Sequence, residues 1–182
     1  SLTSLENFFK QFQVKLFKAE KINTHGGSIR IFIIKNKNIK IEKSIKELLD
    51  EELKFGIKQF KTYKNFGKKV YKIRDNVIKN LKKLKIKNKS IVAYGAPAKA
   101  TTALNFFGIS KEIDYIVEDN KLKHRKFVPG VKIPIFSKQK ISKRKPLVLV
   151  LAWNFYKEIK KDNSKIAKQF VNIKSLETEE FV

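Results

Sequence analysis

The chain has 182 residues, enough for one or two domains, and its 42% hydrophobic content is sufficient for a core beside 32% charged residues. It lacks cysteine, which excludes disulfides, cysteine-ligated zinc and thiol catalysis within these residues. The net charge is +25, but only four of the 42 basic residues are arginines and the lysines are spread along the chain, which favours a solvated surface over a dedicated nucleic-acid face.

Residues 1–56 are expected to form two helices and a pair of strands. Thr3 and Ser44 are each followed three residues later by a glutamate, the spacing of a capping box, which predicts a helix after each of them. Apolar residues alternate before and after a turn at residues 23–28 that contains two glycines. This pattern predicts two antiparallel strands joined at a Gly-Gly corner.

Residues 57–87 are predicted to form one long connecting helix. Apolar residues from Tyr63 to Leu84 recur every three or four positions, and lysine fills most of the positions between them. Because the apolar stripe covers only about three heptads, we favour a helix that lies along a domain over a coiled coil.

Residues 88–182 have the pattern of an α/β domain. Apolar strand candidates lie at residues 90–94, 113–117, 147–152 and 169–173. Helical segments separate them, the first at Ala98–Phe107 and a later one beginning near Asn154. Strands that alternate with helices in this way predict a parallel sheet with right-handed crossovers, and hence a Rossmann-like domain.

The most informative segment is YGAPAKATT at residues 94–102, which has the pattern of a strand, a glycine turn and the start of a helix. Its small residues would let a ligand approach the backbone closely, and the free amides at a helix start favour a phosphate. Lys99 and Thr101 would add a charge and a hydroxyl donor. The segment matches neither G-x-G-x-x-G nor a Walker loop, so ordinary strand-to-helix packing remains the alternative.

Other candidate ligand residues follow predicted strands or turns. Glu118 and Asp119 come about 20 residues after the glycine turn, where nucleotide-binding folds place an acid for ribose hydroxyls, but a helix cap or a solvated turn explains them equally well. Asn154 follows the strongest strand and either contacts a ligand or caps the next helix. His25, beside two glycines, is either a ligand contact or an ordinary turn residue. No catalytic arrangement accompanies them, so no catalytic residue is assigned.

Targeting and metal-binding signals are also missing from these residues. The longest uncharged apolar run, residues 147–153, is far shorter than the roughly 20 residues that span a bilayer. Residues 1–18 lack the apolar region of a signal peptide. With two histidines, His25 and His124, no metal site is expected from this chain alone. We therefore expect a cytoplasmic protein without a membrane partner.

Five motifs occur in an order that resembles a known family. They are THGGSIR at 24–30, YGAPAK at 94–99, IDYIVEDN at 113–120, PG with IPI between 129 and 135, and LAWNF at 151–155. Together they closely resemble the C-terminal part of bacterial S-adenosylmethionine-dependent C-methyltransferases that act on nucleotide-linked deoxysugars. The resemblance covers nearly the whole chain.

The resemblance implies a division of roles between domains. In that family a zinc-bearing segment and a methyltransferase domain come first, and the C-terminal Rossmann-like domain helps to hold a nucleotide-diphosphate sugar that is methylated next to a keto group. Residues 1–56 would then be the C-terminal remnant of the methyltransferase domain, 57–87 the connecting helix and 88–182 the nucleotide-sugar-binding domain. The methyl-donor site and the catalytic Glu-His element would lie upstream, in the same polypeptide or in a separate chain.

From the resemblance we expect no cofactor bound by this chain and no methyl transfer by it alone. The candidate substrate-binding residues are Gly95, Ala96, Pro97, Ala98, Lys99, Thr101, Glu118, Asp119, Asn154 and His25. Two other interpretations remain open. One is a stand-alone Rossmann-like nucleotide-binding module without catalysis, and the other, less favoured, is a basic nucleic-acid-binding protein.

Overall fold

The computed structural model of the chain describes residues 1–24, 26–35, 38–88, 90–141, 145–179 and 181. The chain divides into two compact units, Ser1–Gly67 and Lys68–Val182. Within the described ranges, no helix combines the length and the apolar character needed to cross a membrane.

The first unit contains a two-stranded antiparallel ribbon and two helices that pack on it. The elements are α1 (Leu2–Lys10), β1 (Lys15–Ile22), β2 (Ser28–Ile34) and α2 (Lys43–Phe55). β1 and β2 pair antiparallel, which confirms the pair that the alternating apolar residues predicted. The buried side chains of this unit come from α1, β1 and α2: Leu2, Leu16, Ala19, Ile45 and Leu48.

Both predicted capping boxes are wrong, because their residues make tertiary contacts instead. Thr3 lies inside α1, which Ser1 caps, and its amide and hydroxyl donate to the Glu52 carboxylate at 2.8 and 2.6 Å. Ser44 lies inside α2, and its hydroxyl accepts the amide of Ala19 at 3.2 Å. Each side chain therefore ties its helix to another element of the first unit.

The long helix α3 spans Phe60–Lys87, close to its predicted bounds, and the division between the two units falls within it. In its second half the predicted stripe is buried in the core of the second unit through Val77, Leu81 and Leu84. In its first half the stripe residues Tyr63 and Phe66 are exposed. The second half of α3 is thus a core element of the second unit. The assignment of residues 1–56 to a methyltransferase domain stays a prediction.

The second unit is built on a parallel sheet, which confirms the predicted α/β class. Its strands are β3 (Ile91–Tyr94), β4 (Tyr115–Val117), β5 (Ile135–Phe136), β6 (Leu147–Val150) and β7 (Gln169–Asn172). Across the described residues the order is β5-β4-β3-β6-β7, and all neighbouring strands are parallel. With β3 counted first this is the order 3-2-1-4-5 found in dinucleotide-binding folds. β5, with only two residues, was not predicted.

Helices cover both faces of this sheet, which explains why its central strands are apolar throughout. α4 spans Ala98–Phe107, as predicted, and packs with α3 on the face that carries Ala93 and Leu149. α5 spans Tyr156–Asp162 and packs on the opposite face, which carries Val92 and Val148. The sheet is therefore the middle layer of the second unit.

Two asparagines of α3 donate hydrogen bonds to the C-terminal segment of the second unit. Asn80 is 1% exposed and donates from Nδ2 to the carbonyls of Leu176 and Thr178, at 3.0 and 2.9 Å. One turn earlier, Asn76 donates to the carbonyl of Glu177 at 2.9 Å. The Oδ1 atom of Asn80 has no partner in the described part of the chain. The segment thus depends on side-chain amide donors for three of its carbonyls.

The Asn80→Asp variant should be less stable than the wild type by about 2–4 kcal/mol, because the change removes two buried donors and buries a carboxyl group. Asn76→Asp removes one donor at a less buried position and should cost about 1 kcal/mol. Urea unfolding followed by circular dichroism measures both losses. Equal losses of unfolding free energy in the two variants would contradict the larger stabilising role given to the Asn80 hydrogen bonds.

Candidate functional site

The carboxyl ends of β3, β4 and β6 meet at one edge of the sheet, and a cleft of about 400 Å³ opens there. It lies where the strand order reverses, the place where open α/β sheets bind ligands. The cleft is lined by the last residue of β3, by residues that follow these strands, and by α5 with its C-cap: Tyr94, Gly95, Pro97, Glu118, Asp119, Lys123, Ala152, Phe155, Glu158, Ile159, Asp162 and Asn163.

Gly95 lets the turn after β3 pack closely against the turn after β6. Its φ angle is +88°, in the left-handed region that favours glycine. A Cβ atom at this position would lie 2.9 Å from the Cβ atom of Ala152. The space beside Gly95 is therefore occupied in part by Ala152.

Glu118 joins the turns that follow β3 and β4. Its Oε2 atom accepts the amide of Ala96 at 2.8 Å, and its Oε1 atom accepts the amide of Asn120 at 3.1 Å. The Lys123 ammonium group donates to the Ala96 carbonyl at 2.9 Å and lies 3.6 Å from Oε2 of Glu118. The Nε2 atom of His124 lies 2.7 Å from the Glu118 carbonyl oxygen. Both polar backbone groups of Ala96 are thus bound by side chains.

Tyr94 holds the carboxylate of Asp119 at the cleft. The tyrosine hydroxyl donates to Oδ2 of Asp119 at 2.8 Å, while Oδ1 lies 3.6 Å from the Lys138 ammonium group. Burial, and then the hydrogen bond to Asp119 and its negative charge, raise the pKa of Tyr94 well above its ordinary value. Tyr94 therefore remains a neutral donor, and the carboxylate of Asp119 is exposed at the cleft.

The start of α4 supplies hydrogen-bond donors at the same edge of the sheet. α4 begins at Ala98, directly after Pro97 in extended conformation. As at any helix start, the first amides, those of Ala98 and Lys99, have no acceptor among the described residues. The Lys99 ammonium group lies 4.9 Å from the ring centroid of Trp153, which follows β6. A cation, two free amides and an aromatic ring thus belong to this edge.

The structure brings together part of the predicted set of ligand residues. The members that line the cleft are Gly95, Pro97, Glu118 and Asp119. Thr101 lies one turn into α4, and Asn154 is exposed in a 3₁₀ turn after β6. Asn154 does not cap α5, since Phe155 holds that position. His25 lies outside the described residues. The roles of these residues in ligand binding stay predictions.

Sequence reasoning did not assign a role to three residues that shape the site. The sequence predicts Tyr94 as the end of a strand and Trp153 as part of the LAWNF motif, and it assigns no role to Lys123. The available signal was position, since Tyr94 directly precedes the glycine turn and Trp153 follows the strongest strand. Lys123 gave no comparable signal, because lysine is common throughout the chain.

Comparison with known proteins identifies related chains. Residues 23–173 match the family model described as C-methyltransferase C-terminal domain. Among curated proteins, the chain is similar to C-methyltransferase NovU of Streptomyces niveus, with 30% identity over 162 residues. The matched region is 87% of this chain and 39% of that protein, so the chain spans about two fifths of the relative's length.

We expect the rise in phenolate absorbance around pH 10 to have the same amplitude in the wild type and in Tyr94→Phe, because the raised pKa keeps the Tyr94 hydroxyl protonated there. A pKa that is higher in the folded than in the unfolded chain also makes folding less favourable as the pH rises above 10. The wild type should therefore lose stability above this pH more steeply than Tyr94→Phe. Spectrophotometric titration and urea unfolding measure both effects, and a smaller absorbance step in the variant would contradict the assignment.

Proposed function

The chain belongs to the family of C-methyltransferase C-terminal domains, and we propose that it holds a nucleotide-diphosphate sugar for methyl transfer. The proposed reaction is S-adenosylmethionine-dependent C-methylation of a nucleotide-linked keto-deoxysugar. The methyltransferase domain would lie in the same polypeptide or in a separate chain. The family match and the similarity to a protein named as a C-methyltransferase support the reaction class.

The observation that carries the proposal is the set of free donors at the start of α4. The amides of Ala98 and Lys99 have no acceptor among the described residues, and the Lys99 side chain adds a positive charge. Anions are stabilised at such a helix start by the amides and the helix dipole together. We therefore place the phosphates of the substrate near residues 95–99, at the end nearer to Lys99.

The cleft favours the uncharged, hydroxyl-bearing part of the substrate. Carboxylates line it at Glu118, Asp119, Glu158 and Asp162, and among its lining residues Lys123 is the one cation. Such a surface repels phosphate but offers acceptors to hydroxyl groups. Asp119, oriented by Tyr94, is the proposed acceptor for ribose or sugar hydroxyls. Asn154 would contact the substrate beyond the end of β6.

The glycine turn of this chain does not fit the methyl donor S-adenosylmethionine. Ala152 occupies part of the space beside Gly95, and the amide of Ala96 already donates to the Glu118 carboxylate. We therefore assign the donor to the methyltransferase domain and no step of methyl transfer to residues of this chain. The role proposed for this chain is to bind and orient the substrate.

Replacing Lys99 with alanine should weaken the binding of a nucleotide-diphosphate sugar by about 1–3 kcal/mol, because a charge-assisted hydrogen bond to phosphate is lost. Calorimetric titration at moderate salt measures the change, using a panel of nucleotide-diphosphate sugars. Lys61→Ala is the matched control, since it removes the same charge from an exposed position in the first unit.

Equal affinity in Lys99→Ala and Lys61→Ala would contradict the placement of the phosphates. Absence of binding by the wild type to every member of the panel would contradict substrate holding itself. Gly95→Val is not a suitable test, since its side chain would collide with Ala152 and strain the turn.

A further inference from the structure

We propose that Glu118 is a built-in anion that closes the turn after β3 to ligand phosphate and so confines the phosphate to the start of α4. The proposal deepens the proposed function and rests on it for the identity of the ligand. It assigns Glu118 a positioning and selectivity role, and it leaves the ribose role to Asp119.

The donors around the Glu118 carboxylate have the geometry of an anion-binding site. The amides of Ala96 and Asn120 come from the turns after two different strands and converge on the two oxygens of Glu118, at 2.8 and 3.1 Å. Lys123 adds a positive charge 3.6 Å from Oε2. Converging backbone amides with a nearby cation are the donor set that binds phosphate or carboxylate ions from solution. Here a carboxylate of the chain itself fills that position.

A carboxylate attached to the chain competes well against a free anion for these donors. The Glu118 side chain is only 15% exposed, so it is fixed in place beside its donors. The Glu118 carboxylate loses no translational freedom when it occupies the site. A ligand phosphate loses that freedom on binding, and it must also approach the negative charge of Glu118. The wild-type turn should therefore exclude phosphate even at high phosphate concentration.

The consequence is selectivity among ligands. Dinucleotide-binding folds with this strand order place a pyrophosphate on the turn after the first strand and the start of the following helix. In this chain the turn amide of Ala96 donates to Glu118, while the amides of Ala98 and Lys99 have no acceptor within the described part of the chain. The unit therefore selects a ligand whose phosphates fit the start of α4 alone, and it disfavours dinucleotides.

The test is removal of the built-in anion and its replacement from solution. In Glu118→Ala, inorganic pyrophosphate or acetate should move the amide resonances of Ala96 and Asn120 in a saturable way. The affinity at these amides should be roughly tenfold or more above that of the wild type, as expected for a charged acceptor that regains several donors. Glu158→Ala is the matched control, because it removes the same charge from the lining of the same cleft.

An anion response at Ala96 and Asn120 that is the same in Glu118→Ala and in the wild type would overturn the proposal, and so would an equal response in Glu158→Ala. If Glu118→Ala does not fold, Glu118→Ser is a second variant whose side chain is too short to reach the Ala96 amide, and pyrophosphate should move that amide there too. An unmoved Ala96 amide in folded Glu118→Ser overturns the proposal. These amide shifts do not depend on nucleotide-sugar binding by the wild type. Failure of the proposed function, which calorimetry with nucleotide-diphosphate sugars tests, is therefore distinguishable from failure of this proposal.

Discussion

Two close contacts fix the carboxyl end of β3 relative to its neighbours, and the candidate site depends on both. The Glu118 carboxylate bridges the turns after β3 and β4 through the amides of Ala96 and Asn120. On the other side, Gly95 allows the turn after β3 to lie against Ala152 after β6. Both contacts lie directly before α4 and involve residues that line the cleft. A site held in this way loses little conformational freedom when a ligand binds.

Charge acts at two ranges around this site. The net charge of +25 attracts anionic ligands from a distance, but it does not say where they bind. Close to the sheet edge the sign is mixed, with carboxylates such as Asp119 in the cleft and Lys99 at the start of α4. In the proposed function this arrangement orients the substrate, because its phosphates and its hydroxyl groups favour opposite parts of the edge.

The sequence predicted what depends on local pattern and missed what depends on distant partners. α4 and the parallel strands followed from apolar runs and from the glycine turn, and so did the positions of Glu118 and Asp119 directly after a strand. The predicted capping boxes were wrong because Thr3 binds Glu52 and Ser44 binds Ala19. These partners are distant in the sequence, so the local spacing of residues does not reveal the contacts. The pairing of Tyr94 with Asp119 and the use of both Glu118 oxygens were hidden for the same reason. β5 was too short to give a pattern.

The central claim is that the phosphates of the substrate bind at the start of α4, beside Trp153. Trp153 is the single tryptophan of the chain, and its ring centroid lies 4.9 Å from the Lys99 ammonium group, so its fluorescence reports on this place alone. Titration with a nucleotide-diphosphate sugar should change the Trp153 emission in a saturable way, with the midpoint found by calorimetry. The free sugar should produce no change. Calorimetric binding of the nucleotide sugar with unchanged Trp153 emission would contradict the claim, because the ligand would then bind elsewhere.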